Sequence, residues 1–235
     1  PYLFVDVSYF KVRDGIRYIN KTLLVIAGTR NDGFQEILGT GIADCEDELT
    51  WEDIFFKLKE GLDKVDLGIS DEYKGIQAAA GHVFPGSSWQ MCHVHFIRAV
   101  LRKLPKKQDK KIAQMLKGSL FDPRRLQECA DKLEIGGFSR AANTVKRFIP
   151  GLLNYRIAPQ DHWRRKRTTN IQERLNQGTE TKVQIIGAFP NDASSLLLAG
   201  TSLVGIIEEW ITSRRYLSEF DVIVCQDTRA EYIAT

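Results

Sequence analysis

Residues 2–10 read Tyr2-Leu3-Phe4-Val5-Asp6-Val7-Ser8-Tyr9-Phe10. A nearly unbroken run of apolar and aromatic residues is the pattern of a central β-strand covered on both faces. Asp6 interrupts it. A carboxylate inside such a strand is costly unless it is paired or bound to metal. The chain offers two further carboxylates to meet it: Asp71, at the end of a second apolar strand, and Glu173, in a predicted helix. Convergence of the three on one point would build a site for divalent metal. The plain alternative for Asp6 alone is a short polar side chain hydrogen-bonded to nearby backbone.

Outward from that strand, Asp14-Gly15 marks a tight turn, and residues 17–29 (RYINKTLLVIAGT) read as a second strand closing a hairpin. Asn31-Asp32-Gly33 marks another turn before a third strand over 34–43, so the chain opens as an antiparallel meander. Thr50, with Asp53 three residues on, reads as the N-cap of a helix carrying Ile54, Phe55, Leu58 and Leu62 at helical spacing. A short strand over 65–71 ends in Asp71. An Ala-rich helix over 72–83, a break at Pro85-Gly86, a fifth strand over 88–92 and a helix over 93–104 follow. Hairpin strands followed by strand–helix units predict an α/β protein with a mixed five-stranded sheet flanked by helices.

From about 105 to 160 the strand pattern disappears. Residues 106–120, 124–134 and 138–155 read as short helices, broken at Pro123, Gly136-Gly137 and Pro150-Gly151. A basic connector over 158–169, a helix over 170–182 and a long amphipathic helix over 191–216 complete the chain. The division expected is a first part of the core over 1–104, an all-helical insertion over 105–160, the C-terminal helices of the core over 161–220, and a tail over 221–235. The Val222-Ile223-Val224 run in that tail fits no element.

The chain has 235 residues, 43% hydrophobic and 27% charged. That is globular composition, long enough for one large domain or a domain with an insertion. No apolar run of about 18 residues predicts a membrane-spanning helix, and no basic-then-apolar leader opens the chain. It starts with Pro1, inside a strand, which predicts N-terminal material ahead of it. Four cysteines without a Cys-x-x-Cys pair suit reduced cytosolic thiols better than a disulfide framework or a zinc ribbon. The net charge of +3 hides an uneven distribution. Residues 44–72 are acidic, residues 98–125 strongly basic, and Arg164-Arg165-Lys166-Arg167 forms a second basic cluster. An acidic site beside basic surfaces suits a phosphate-backbone partner, although a basic run alone also describes a solvated helix face.

The segments YLFVDVSYFKVR, GISDEYKGIQAA, FPGSSWQMCHVHFIRAVL and HWRRKRTTNIQERLN, followed by GAFPN and EEW, together resemble the catalytic domain of Mutator-like transposases of prokaryotic insertion sequences. The resemblance spans roughly residues 1–220, with the motifs in family order. It implies an RNase H-like fold with a helical insertion ahead of the last catalytic helix, and a DDE triad. By position the triad is Asp6 on the central strand, Asp71 in its Ser-Asp-x-x-x-Gly context, and Glu173 in the Thr-Asn-x-x-Glu-Arg-Leu-Asn block. Cys92 and His95 match the family's Cys-x-x-His signature. The resemblance further implies DNA as partner, both element ends and target, a homodimer in the synaptic complex, and a cytoplasmic, nucleoid-associated setting. One departure stands out: after Asn176 the chain reads Gln177-Gly178-Thr179-Glu180 where the family has a basic stretch. An interior helical Gly costs about 1 kcal/mol relative to Ala.

The chemistry so implied is in-line displacement at phosphorus, with two Mg²⁺ or Mn²⁺ ions about 3.5–4 Å apart, held by hard oxygen ligands. Asp6 is the expected bridging ligand, with Asp71 and Glu173 each holding one ion. His95 is expected to orient a carboxylate or contact the scissile phosphate; the alternative is a hydrogen-bonded histidine beside an apolar Cys92. Trp163 is expected to stack on an unpaired base, or else to anchor the insertion. Arg164, Arg165, Lys166, Arg167 and Arg174 are expected phosphate contacts, which position DNA without reading its sequence. Two other functions remain open: a degenerate, inactive copy that still binds DNA, and another RNase H-like endonuclease.

Overall fold

The computed structural model describes residues 2–14, 16–29, 33–43, 48–62, 64–71 and 74–167, with residues 194, 197 and 201. The helix expected over 170–182, most of that over 191–216 and the tail lie outside the described residues.

β1 (Tyr2–Asp14) pairs antiparallel with β2 (Arg17–Thr29) in unbroken register from Tyr2↔Thr29 to Asp14↔Arg17. β1 therefore runs beyond Phe10: Val12 is buried and pairs with Ile19. β3 (Gln35–Ala43) pairs antiparallel with β2, and the expected meander is present. The β2–β3 register shifts between Ile26 and Ala27, which face Gly39 and Ile37 and leave Leu38 as an extra residue. This is a β-bulge. A Cβ on Gly28 would lie 2.6 Å from Leu38 Cδ1, so the bulged leucine fills the space that a side chain at 28 would need.

β4 (Leu67–Ser70) and β5 (Ser88–Met91) complete a five-stranded sheet in the order β3-β2-β1-β4-β5. Ser88 N–H donates to Asp66 O at 3.0 Å and Cys92 N–H to Ser70 O at 2.8 Å. The constant offset means that β4 and β5 run parallel. The sheet is therefore mixed, and β1 is its middle strand.

Contacts divide the chain into two compact units. In the first, Leu3, Val5 and Val7 of β1 join Leu24 and Ile26 of β2 in one core with α1 (Glu48–Lys59) and α2 (Lys74–Val83), through Trp51, Phe55, Ile76, Ala79 and Val83. Alternation along a strand then turns Phe4 and Asp6 to the opposite face. Both are buried as well. α1 begins at Glu48, so Thr50 lies in its first turn and is not the N-cap. α2 is closed by a turn over Phe84–Ser87, with Pro85 second, Gly86 third at φ +87°, and Ser87 N–H donating to Phe84 O at 3.0 Å. That geometry is a type II turn, which needs glycine at the third position.

In the second unit, α3 (His93–Leu101), α4 (Asp109–Ser119), α5 (Pro123–Ile135) and α6 (Ser139–Phe148) share one core that includes Phe96, Val100, Leu116, Leu126, Leu133 and Val145. α5 starts where Asp122 accepts the Arg124 N–H at 2.9 Å and Pro123 takes the first position. It ends in a Schellman motif: Phe138 N–H reaches Leu133 O, Gly137 N–H reaches Glu134 O, and Gly137 sits at φ +81°. The helix expected over 138–155 gives out at Phe148, because Pro150 cannot continue it. Short 3-10 turns over Ile149–Gly151, Asn154–Ile157 and Gln160–His162 lead to a single turn, α7 (Trp163–Lys166).

His93 opens α3 in a buried setting. Its Nε2–H donates to Leu152 O at 2.8 Å and its ring meets Tyr155 edge-on. Burial lowers its pKa from 6.5 to about 4, with Arg167 adding to the depression and the Leu152 hydrogen bond opposing it. The unfolded chain therefore takes up the proton first as pH falls. Stability that depends on His93 is whole above about pH 6.5 and is lost as pH drops towards 4, a change of about 3 kcal/mol. Urea denaturation at pH 7.5 and 4.5 should show this loss in the wild type, and His93→Gln should reduce the difference between the two midpoints.

Candidate metal centre

The sheet order sets the two aspartates on neighbouring strands. Asp6 sits in mid-β1 opposite Val25 of β2, and is 3% exposed. β1's other neighbour is β4, and Asp71 directly follows the last residue of β4. His95 lies in the first turn of α3, half-buried. Within the second unit, a carboxylate oxygen of Asp71 and a ring nitrogen of His95 lie within 4.8 Å of one another.

A carboxylate and an imidazole at that spacing are part of a donor set for a divalent cation. The fit has a second sign. Nδ1 of His95 is buried and has no hydrogen-bond partner, a state that costs a buried polar atom about 1–3 kcal/mol. A cation held beside Asp71 would supply that partner. The oxygens are hard donors suited to Mg²⁺ or Mn²⁺, and the imidazole nitrogen also suits transition metals.

Cys92 is fully buried and precedes the first residue of α3. Its Sγ is not in the ligand group. Its backbone is engaged: the N–H donates to Ser70 O and the carbonyl accepts the Phe96 N–H. Cys92 thus ties the start of the helix that carries His95 to the residue before Asp71.

The basic residues expected on DNA fall in different settings. Lys166 is fully buried, so its ammonium is not on the surface where a phosphate contact was expected. Arg167 is half-buried, with its Nε–H donating to Trp163 O at 3.0 Å and its guanidinium stacked over Phe121 at 4.7 Å. Trp163 donates its indole N–H to Ala158 O at 2.7 Å and packs edge-on against Tyr155. These bonds are those of an anchor within the helical unit. The side chains of Arg164 and Arg165, and all of Glu173, Arg174 and the 177–180 stretch, lie outside the described residues.

Trp89, Gln90 and His93 match no chemical motif, yet half-buried Trp89 and buried Gln90 and His93 carry a polar network within the second unit. Gln90 donates to Leu152 O at 3.0 Å and accepts the Tyr155 N–H at 2.8 Å. The available signal was a glutamine at the end of an otherwise apolar strand, since a buried amide needs partners.

Comparison with known proteins adds an independent finding. The family model described as "Transposase, Mutator family" matches residues 1–213. The transposase for insertion sequence element IS256 in transposon Tn4001 of Staphylococcus aureus is 36% identical over 229 residues, covering 94% of this chain and 58% of the relative. The transposase for ISRM5 of Rhizobium meliloti is 33% identical over 228 residues, covering 94% and 57%. That for IS1081 of Mycobacterium tuberculosis is 30% identical over 231 residues, covering 92% and 54%. The chain thus spans a little over half the length of these relatives. Among the described residues no helix is long and apolar enough to cross a membrane.

The setting of Trp163 is directly testable. Trp163→Phe keeps the ring and loses the bond to Ala158. It should lower stability by about 1 kcal/mol, read as a shift of the urea midpoint. A tryptophan that served only to stack on a base would leave the midpoint unchanged.

Proposed function

The chain belongs to the Mutator family of transposases, and from that premise we propose that it is the catalytic core of a metal-dependent DNA transposase, which cleaves insertion-sequence ends and joins them to target DNA. The observation that carries the reading is the approach of Asp71 and His95 to within 4.8 Å in the second unit, beside a carboxylate, Asp6, buried on the middle strand of the sheet. The strand order with β1 at its centre supports an RNase H-like core, and the four-helix core of α3–α6 supports a helical insertion ahead of the helix expected to carry Glu173.

In this reading Asp6, Asp71 and Glu173 hold the metal, and His95 joins them. Divalent metal bound there supplies activation of the attacking oxygen and stabilisation of the leaving one. The chain's own groups do the rest. Asp6, on the middle strand, has little freedom to move, so it fixes where the site is centred. Asp71 and His95 come from the ends of β4 and the beginning of α3, where element termini aim side chains without breaking the sheet. His95 is an added donor beyond the carboxylate triad. With its carboxylates ionised and no cation, the site repels phosphate; this ties DNA engagement to metal binding. Pairing two element ends calls for two copies of the chain.

The DNA partner has a surface suited to it. Arg102 and Lys103 follow α3, and Lys110 and Lys117 lie seven residues apart on α4, on the side away from buried Ile112 and Leu116. All four cations are exposed. Such a face neutralises phosphates without reading bases.

Two experiments test the proposal. A pre-cleaved, labelled element end should join plasmid DNA with Mn²⁺, and Asp71→Ala should abolish the product. Joining that survives Asp71→Ala would sink the metal–carboxylate reading. For the DNA surface, the slope of log affinity for duplex DNA against log salt should become shallower by about two units in Lys110→Ala/Lys117→Ala, as measured by fluorescence anisotropy. An unchanged slope would place the duplex elsewhere.

A further inference from the structure

We propose that Trp89 is a positioning residue for Asp71, acting through the hydroxyl of Ser70; the inference rests on the metal-site reading above. Ser70 is fully buried. Its Oγ accepts the Trp89 indole N–H at 2.7 Å and donates to Asp71 O at 3.0 Å. The polarity of this relay is forced. An indole nitrogen only donates and a carbonyl only accepts, so the single hydroxyl proton must go to Asp71. The same serine's carbonyl accepts the Cys92 N–H at 2.8 Å. Ser70 therefore ties the peptide of Asp71 on one side and the start of the His95 helix on the other.

The indole is itself held on more than one side. A Cβ on Gly151 would lie 2.8 Å from Trp89 Cζ3, so the 3-10 turn over Ile149–Gly151 seats its glycine directly against the ring. Asn154 Nδ2 donates to Trp89 O at 2.6 Å. A ring fixed by its face, its N–H and its backbone is a rigid reference from which Ser70 sets the direction of the Asp71 peptide. Groups that orient a metal ligand in this way change metal affinity by about tenfold or more when removed.

The test separates orientation from packing. Mn²⁺ is titrated calorimetrically into the full chain as wild type, Trp89→Phe, Ser70→Ala, the double variant and Asp71→Asn, with thermal unfolding recorded for each. Trp89→Phe keeps a ring against Gly151 and loses only the N–H. We expect Trp89→Phe and Ser70→Ala each to bind Mn²⁺ about tenfold more weakly while unfolding cooperatively. The double variant should be no weaker than either single, since both break one relay. Wild-type affinity in Trp89→Phe alongside lost affinity in Asp71→Asn overturns the inference, as do single effects that multiply in the double variant. Wild-type affinity in Asp71→Asn overturns the metal site itself, and the inference with it. If Trp89→Phe does not fold, Ser70→Ala against Asp71→Asn decides the matter.

Discussion

Burial of a carboxylate in the middle strand of a sheet is the constraint on which the rest of the structure depends. Asp6 is 3% exposed on β1, with β2 on one side and β4 on the other. A charge taken out of water at such a position must be compensated by partners or by a cation. The period of the strand decides which face carries it. Leu3, Val5 and Val7 go to the core shared with α1 and α2, and Asp6 goes to the other face. One strand thereby faces two ways: Leu3, Val5 and Val7 build the core, and Asp6, proposed above to hold metal, lies on the other face.

Around the end of β4 the molecule uses hydrogen bonds where a simpler fold would use apolar packing. Gln90, His93, Trp89 and Asn154 each reach main chain or side chain far away in sequence. Satisfied polar networks of this kind specify one arrangement more sharply than apolar contacts, which tolerate sliding. An aspartate that follows a four-residue strand benefits from that, because so short a strand has few ladder bonds of its own.

Much of this was legible in the sequence because the signals were local. Alternation and turn residues marked the β1–β3 meander, and the apolar stripe marked α1. A glycine pair and two prolines marked where helices of the second unit start or stop. Family membership, and the placement of Asp6 within one apolar strand and Asp71 directly after another, rested on contiguous motifs. What failed to show depended on distant partners. Thr50 looked like a cap because of its residue type and Asp53 three positions on, yet the helix begins at Glu48. Lys166 looked exposed because its neighbours are charged, yet it is buried. Trp163 sits in a polar stretch, yet it is bonded to Ala158 and Tyr155. The relay from Trp89 to Asp71 links residues 18 positions apart, and no periodicity reports such a bond.

The bulge at Leu38 bears on how the chain finds this arrangement. Because side chains alternate, a hairpin that closed one residue out of step would present its even positions to the α1–α2 core. Asp6 would then face Trp51 and Phe55. Leu38 seated against Gly28 marks one alignment of β2 and β3, and mispaired strands lose that fit. Carboxylate and bulge act together as a proofreading device: the residue read here as central to catalysis also makes the wrong register too costly to persist.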